Sequence, residues 1–138
     1  MTDEVQAREL FRFADPWQSV SVEVELRDPL TSGRERYFTA HIVLESDFVR
    51  GRIGLLLASR DMDDWERCLD ALRAGERATW PSGDRVAWLE VVPEDPVEVT
   101  VRDSPSTQIV VRVPIDVTDD WLEENRVRLA RVREAVER

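Results

Sequence analysis

With 138 residues, 42% of them hydrophobic and 35% charged, the chain is long enough to bury a core of its own and too apolar to be disordered. Its formal net charge of -10 argues against nucleic-acid binding, which needs a basic stripe, and its single cysteine, Cys68, excludes an internal disulfide. All 19 basic residues are arginine, a bias that fits a GC-rich genome.

One domain spanning residues 1–138 is expected, with residues 1–8 frayed. The N-terminus lacks the basic start and apolar run of a signal peptide, and no stretch nears the roughly 20 apolar residues of a membrane span. The expectation is a soluble cytoplasmic protein.

In chain order, "ELFRFA" reads as a short first strand with Phe11 and Phe13 in phase, and "DPW" at 15–17 as a turn broken by Pro16. "SVSVEVELRD" alternates strictly. Val20, Val22, Val24 and Leu26 share one face, with Ser19, Ser21, Glu23, Glu25 and Arg27 on the other. "PLTSGRER" reads as a loop with Gly33 at its tip. "YFTAHIVLES" alternates again, with Phe38, Ala40, Ile42 and Leu44 inward and Tyr37, Thr39, His41, Val43 and Glu45 outward. "RIGLLLAS" is apolar on both faces, so its outer side is expected to be covered.

Residues 61–74 read as an amphipathic helix. Ser59 and Asp61 are acceptable caps, Asp61 has Asp64 three residues on, and Gly75 sits where a C-cap belongs. Met62, Trp65, Leu69 and Leu72 fall at helical spacing with Cys68 beside them. The acids Asp61, Asp63, Asp64 and Glu66 lie where the helix dipole favours negative charge, which accounts for them without chemistry. "ATW" and "RVAWLEVV" flank "PSGD", a hairpin connection. "VEVTVRD" and "TQIVVRVPID" are two further strands joined at "DSPS", and Pro114 marks a strand end or a sheet edge. A last helix is expected over about 119–136, where Asp120 pairs with Glu123 as a cap and Leu122, Leu129, Val132 and Val136 form an apolar stripe. Strands joined by short loops make antiparallel hairpins. The expected class is therefore α+β, a twisted antiparallel meander of about seven strands with two helices packed on it.

Little of this carries chemistry. His41 is the only histidine; its strand phase places it outward, near Glu23 or Glu25, with no nucleophile tied to it. Cys68 falls on the buried side of the first helix, where a thiol packs as a small hydrophobe. "DMDD" starts like a calcium loop but lacks its glycine and its closing glutamate. One His and one Cys cannot assemble a zinc site, and no glycine-rich phosphate loop is present. No catalytic, cofactor or metal residue is therefore nominated, and an enzyme is not expected. Five tryptophans are the better lead. Trp65 and Trp121 stand near helix starts, with indole N–H groups expected near water. Trp17 and Trp80 lie beside turns and are the candidates for exposure.

The stretch from Tyr37 to Ser82 resembles a family of small uncharacterised actinobacterial proteins. The resemblance rests on Tyr37 with Ala40, Gly51 to Leu55, Asp64 with Trp65, Gly75 with Glu76, and Trp80. The terminal "VPIDVTDDWLEENRVRLARVREA" is similar to that family's ending. The layout is also distantly similar to toxin-immunity proteins of the wall-associated-protein type, which implies a small acidic protein that binds and neutralises a toxin domain. Ala40 and His41 stand where those proteins carry Asn-Trp.

The expected function is thus a non-enzymatic protein-binding module, immunity-like, with a basic protein such as a toxin domain as partner and neither nucleic acid nor membrane. Its candidate surface is Glu23, Glu25, Tyr37, Thr39, His41, Trp17 and Trp80, on a polar sheet face that also holds Glu98, Thr100 and Arg102. The alternative is a small-ligand binder with a tryptophan-lined pocket between sheet and helices. A hydrolase using His41 is a third reading. An open sheet edge also allows a homodimer.

Overall fold

A computed structural model of the chain describes residues 6–26, 30–83, 87–104 and 107–136. Along it run β1 (Ala7–Ala14), β2 (Gln18–Glu25), β3 (Leu30–Ser32), β4 (Glu35–Ser46), β5 (Arg50–Leu57), α1 (Ser59–Arg73), β6 (Ala78–Trp80), β7 (Ala87–Val92), β8 (Val97–Asp103), β9 (Ile109–Ile115) and α2 (Trp121–Val136). All strand pairs are antiparallel. The α+β class and both helices are as the sequence predicts. The strands number nine among the described residues, against about seven, and they divide into two sheets. β1, β2, β4 and β5 form one, with the short β3 on the start of β4; β6 to β9 form the other in sequence order. The division falls where α1 interrupts the meander, so that β6 starts a new sheet instead of pairing with β5.

Three boundaries differ from expectation. Of the residues expected to fray, 1–5 lie outside the described residues, but Ala7 and Arg8 already belong to β1 and pair with Glu25 and Val24. The loop expected at 29–36 contains β3 and turns at Gly33, whose φ of +65° suits a residue without a Cβ. Helix α1 starts at Ser59, two residues early. Its N-cap is Ala58, and Asp61 serves from the N3 position by accepting the Ala58 N–H at 2.8 Å. Its C-terminus follows the sequence. Gly75, at φ +81°, donates to the Leu72 carbonyl, and Glu76 donates to Ala71, the paired bonds of a Schellman motif.

Alternation along each strand sends one row of apolar side chains inward, and the two sheets and both helices share one core. Its centre is aromatic. The Trp65 ring of α1 stacks on Phe11 at 3.9 Å, while Trp80 meets Phe11 edge-on at 5.3 Å and Trp65 at 5.9 Å. Burying each such ring stabilises the fold by roughly 1.5–3 kcal/mol. Trp65 is 0% exposed, so its indole is kept from the water expected for it, and Nε1 has no hydrogen-bond partner among the described residues. Against the cover expected over the outer side of β5, Leu56 is 51% exposed.

The helices lie along two of the four sheet edges. Helix α2 packs on β1, and the buried Asn125 accepts the Arg12 main-chain N–H at 2.8 Å. Helix α1 packs on β6, and the Cys68 thiol donates to the Thr79 carbonyl at 3.6 Å. Arg126 to Asp70 and Arg133 to Asp63, each at 2.8 Å, join the helices to one another.

Candidate functional site

The outer face of the first sheet gathers part of the expected surface. Antiparallel register sets Glu23 directly opposite His41, with Gly54 of β5 on the far side of the histidine. Arg52 approaches the Glu23 carboxylate at 3.9 Å. Thr39 faces Leu56, and Glu25 faces Ala7. Tyr37 stands at the start of β4, where its hydroxyl donates to Glu35, which Arg60 also binds. That hydrogen bond pushes the phenol pKa up. The centre of the face is less wet than alternation implies, since Ser21 and Val43 are buried there.

Other expected members lie elsewhere. Glu98, Thr100 and Arg102 are on β8 of the second sheet, so the single polar face of the sequence reading is two faces. Trp80 is 0% exposed and offers nothing to a partner. It occupies the inward phase of β6, pairs with Leu89 and donates its indole N–H to the Asp61 carbonyl at 2.8 Å. Chain position beside a turn pointed outward; the packing of α1 over that strand decided otherwise.

Trp17 is 78% exposed, at the far end of the same sheet from Tyr37. Its neighbour Gln18 pairs with Ser46, nine positions along β4 from Tyr37 and so about 30 Å away. The β1–β2 turn that carries it is tightly fixed. Asp15 accepts the N–H groups of Trp17 (2.8 Å), Gln18 (3.0 Å) and, through its other oxygen, Asp116 (3.0 Å). Desolvation pulls the Asp15 pKa up, but these three bonds together outweigh it and hold the carboxyl below its usual value.

Beside this tip stands a residue the sequence reading passed over. Phe48 is 96% exposed on the β4–β5 turn. The Ser46 hydroxyl fixes that turn, accepting the Val49 N–H at 2.8 Å and donating to the Val49 carbonyl. The available signal was an aromatic inside the polar string Ser46-Asp47-Phe48. Between the two tips runs a groove of about 220 Å³ lined by Arg12, Trp17, Gln18, Glu45, Asp47 and Arg50. Among the described residues Glu45 and Asp47 form no ion pair, although Glu45 faces Arg50 across the sheet.

The described residues hold no cluster of three or more His, Cys, Asp or Glu placed to bind a metal. Cys68 sits in α1, its thiol pushed up to about 11 by burial, with Arg67 opposing weakly. It is separated from His41, which faces outward on β4, so the two make no nucleophile–base pair. No described helix is long and apolar enough to cross a membrane.

What the fold and site define is an α+β protein whose exposed aromatics crown one end of a sheet. The chain belongs to a family of unknown function, DUF5959, whose model matches residues 8–137. No curated protein matches it in sequence. Among solved structures it is similar in fold to the plant transcriptional regulator PBF-2, at a TM-score of 0.52 and 13% identity, over 99% of this chain and 85% of that one.

Proposed function

We propose that this protein is a non-enzymatic protein-binding module that engages a basic partner through the Trp17–Phe48 end. The observation that carries the reading is two large aromatics, 78% and 96% exposed, on adjacent turns that their own hydrogen bonds hold rigid. Water-exposed rings on fixed turns are costly to a monomer and are the usual anchors of an interface. Glu45 and Asp47 beside them, without an ion pair among the described residues, and a net charge of -10 favour a cationic surface opposite. A toxin domain of basic character fits this chemistry, which is the immunity-like version. Regulation of transcription, the role by which the structural neighbour is known, finds little support here, because the charge repels a phosphate backbone. The small-ligand reading is weakened by the core. Phe11, Phe13, Trp65 and Trp80 fill the space between sheet and helices, with ring centroids 3.9–6.3 Å apart.

The test is capture from host lysate with tagged wild-type chain and with the Trp17→Ala/Phe48→Ala double variant. The expected outcome is one stoichiometric basic protein with wild type, and recovery reduced by about tenfold or more with the variant. Equal recovery with both chains, or none with either, sinks the reading.

A further inference from the structure

An antiparallel sheet leaves two edges whose main-chain groups need partners or protection. Setting aside the three-residue β3, the described strands of the two sheets have four such edges and three are managed. Asn125 of α2 closes on β1, Cys68 of α1 closes on β6, and β5 carries Arg50, Arg52 and two glycines that discourage an added strand. The fourth edge, β9, is managed over only half its length. Gln18 donates to the Pro114 carbonyl, and Asp15 accepts from Asp116 N–H, so the end near Ile115 is sealed against the first sheet. Pro114 itself has no N–H to offer.

The other half is open. Strand geometry repeats every two residues, so the side of β9 that shows Pro114 C=O and Asp116 N–H also shows the N–H and C=O of Arg112 and Val110. Among the described residues these four groups meet nothing on that side. Beside Arg112, two apolar side chains stand exposed there, Ile109 at 60% and Val110 at 50%.

We propose that this half-edge pairs with its own counterpart in a second copy of the chain. With Val111 facing Val111 of the partner subunit across a two-fold axis, Val110 lies opposite Arg112 of the partner subunit, and the reverse. The four open main-chain groups of each copy are then used in four hydrogen bonds. Ile109 meets Val113 of the partner subunit on the inner side, and the partner's Arg112 lays its stem along Val110 on the outer side. Arg112 is the one charged side chain in the paired segment, and it never lies opposite itself. The two four-stranded sheets become one sheet of eight. Few side chains are covered, so the dimer is concentration-dependent and not obligate. Two copies of charge -10 repel, so added salt tightens it.

The experiment is sedimentation equilibrium of the full chain over a wide concentration range, at low and high salt. It is run on wild type, on Arg112→Pro and on Val110→Lys. The proline removes an outward N–H and spares the bonds to β8; the lysine charges the apolar strip and spares the backbone. A parallel sample carries Val111→Cys, and its oxidised dimer is read on a non-reducing gel; the buried Cys68 adds no background. Expected are a wild-type dimer that tightens with salt, association weaker by about tenfold or more in both edge variants, and cross-linking through position 111 but not through Ile109→Cys. A chain that stays monomeric up to its solubility limit overturns the proposal. So does a dimer that survives Val110→Lys and leaves Val111→Cys uncrosslinked.

Discussion

The edges of β1 and β9 are the same kind of object with opposite treatment. Both are outer strands of antiparallel sheets with a row of main-chain groups facing outward. On β1 a helix lies along the row, and a 0% exposed asparagine meets the Arg12 N–H. On β9 two side chains from the neighbouring sheet seal one half, and the other half faces water with isoleucine and valine. The difference teaches where this fold runs short. Two helices can cover two edges, one of each sheet. On each helix a polar side-chain atom reaches the edge strand, Asn125 Oδ1 on β1 and Cys68 Sγ on β6.

The covered edges can be broken, and the largest effect is expected at β6. Trp80→Ala removes a buried ring and the indole bond that ties α1 over that edge. Its expected cost is about 3–5 kcal/mol, read as a fall in denaturation midpoint. Asn125→Leu leaves the part-buried Arg12 N–H without its acceptor and is expected to cost about 1–3 kcal/mol by the same measurement. If β1 needed no cover, that variant would match wild type. The thiol at β6 offers a kinetic check. Native Cys68 should react with an alkylating reagent far more slowly than the unfolded chain, because burial holds its pKa at about 11.

The half-seal on β9 gives a smaller, pH-dependent effect. The folded pKa of Asp15 is lowered, so its contribution is complete above the unfolded carboxylate value of about 3.9 and is lost as pH falls through the folded one. Asp15→Asn should therefore flatten the acid limb of the stability curve slightly, by less than about 1 kcal/mol for so exposed a group. Wild-type steepness retained in the variant would remove Asp15 from the account. Least of all should Phe48→Ala disturb stability, within about 0.5 kcal/mol. That near-neutrality, beside a loss of partner recovery, is what separates an interface residue from a structural one.

Strand phases, both helices, the glycine C-cap and the class of fold could all be read from residues a few positions apart. Strict alternation from Val20 to Glu25 or from Val97 to Arg102 specifies two faces wherever the strand ends up. The same reading placed Trp17 and Trp80 together, since both stand beside turns, and missed Phe48. Beside a turn, an aromatic is exposed or buried according to what packs over it, and that is a long-range fact. Trp80 has α1 above it; Trp17 and Phe48 stand in water.

By itself, then, the sequence determined the local grammar: where most of the strands and both helices run, and which side chains of a strand share a face. Only the tertiary structure decided that the strands form two sheets, that Glu23 faces His41, which edges the helices cover, and that two turns bring Trp17 and Phe48 to one end. The reason is physical. Periodicity is set by backbone dihedrals within a few residues, whereas sheet membership, register and edge cover are settled between segments as much as 113 residues apart, as in the bond from Arg12 to Asn125.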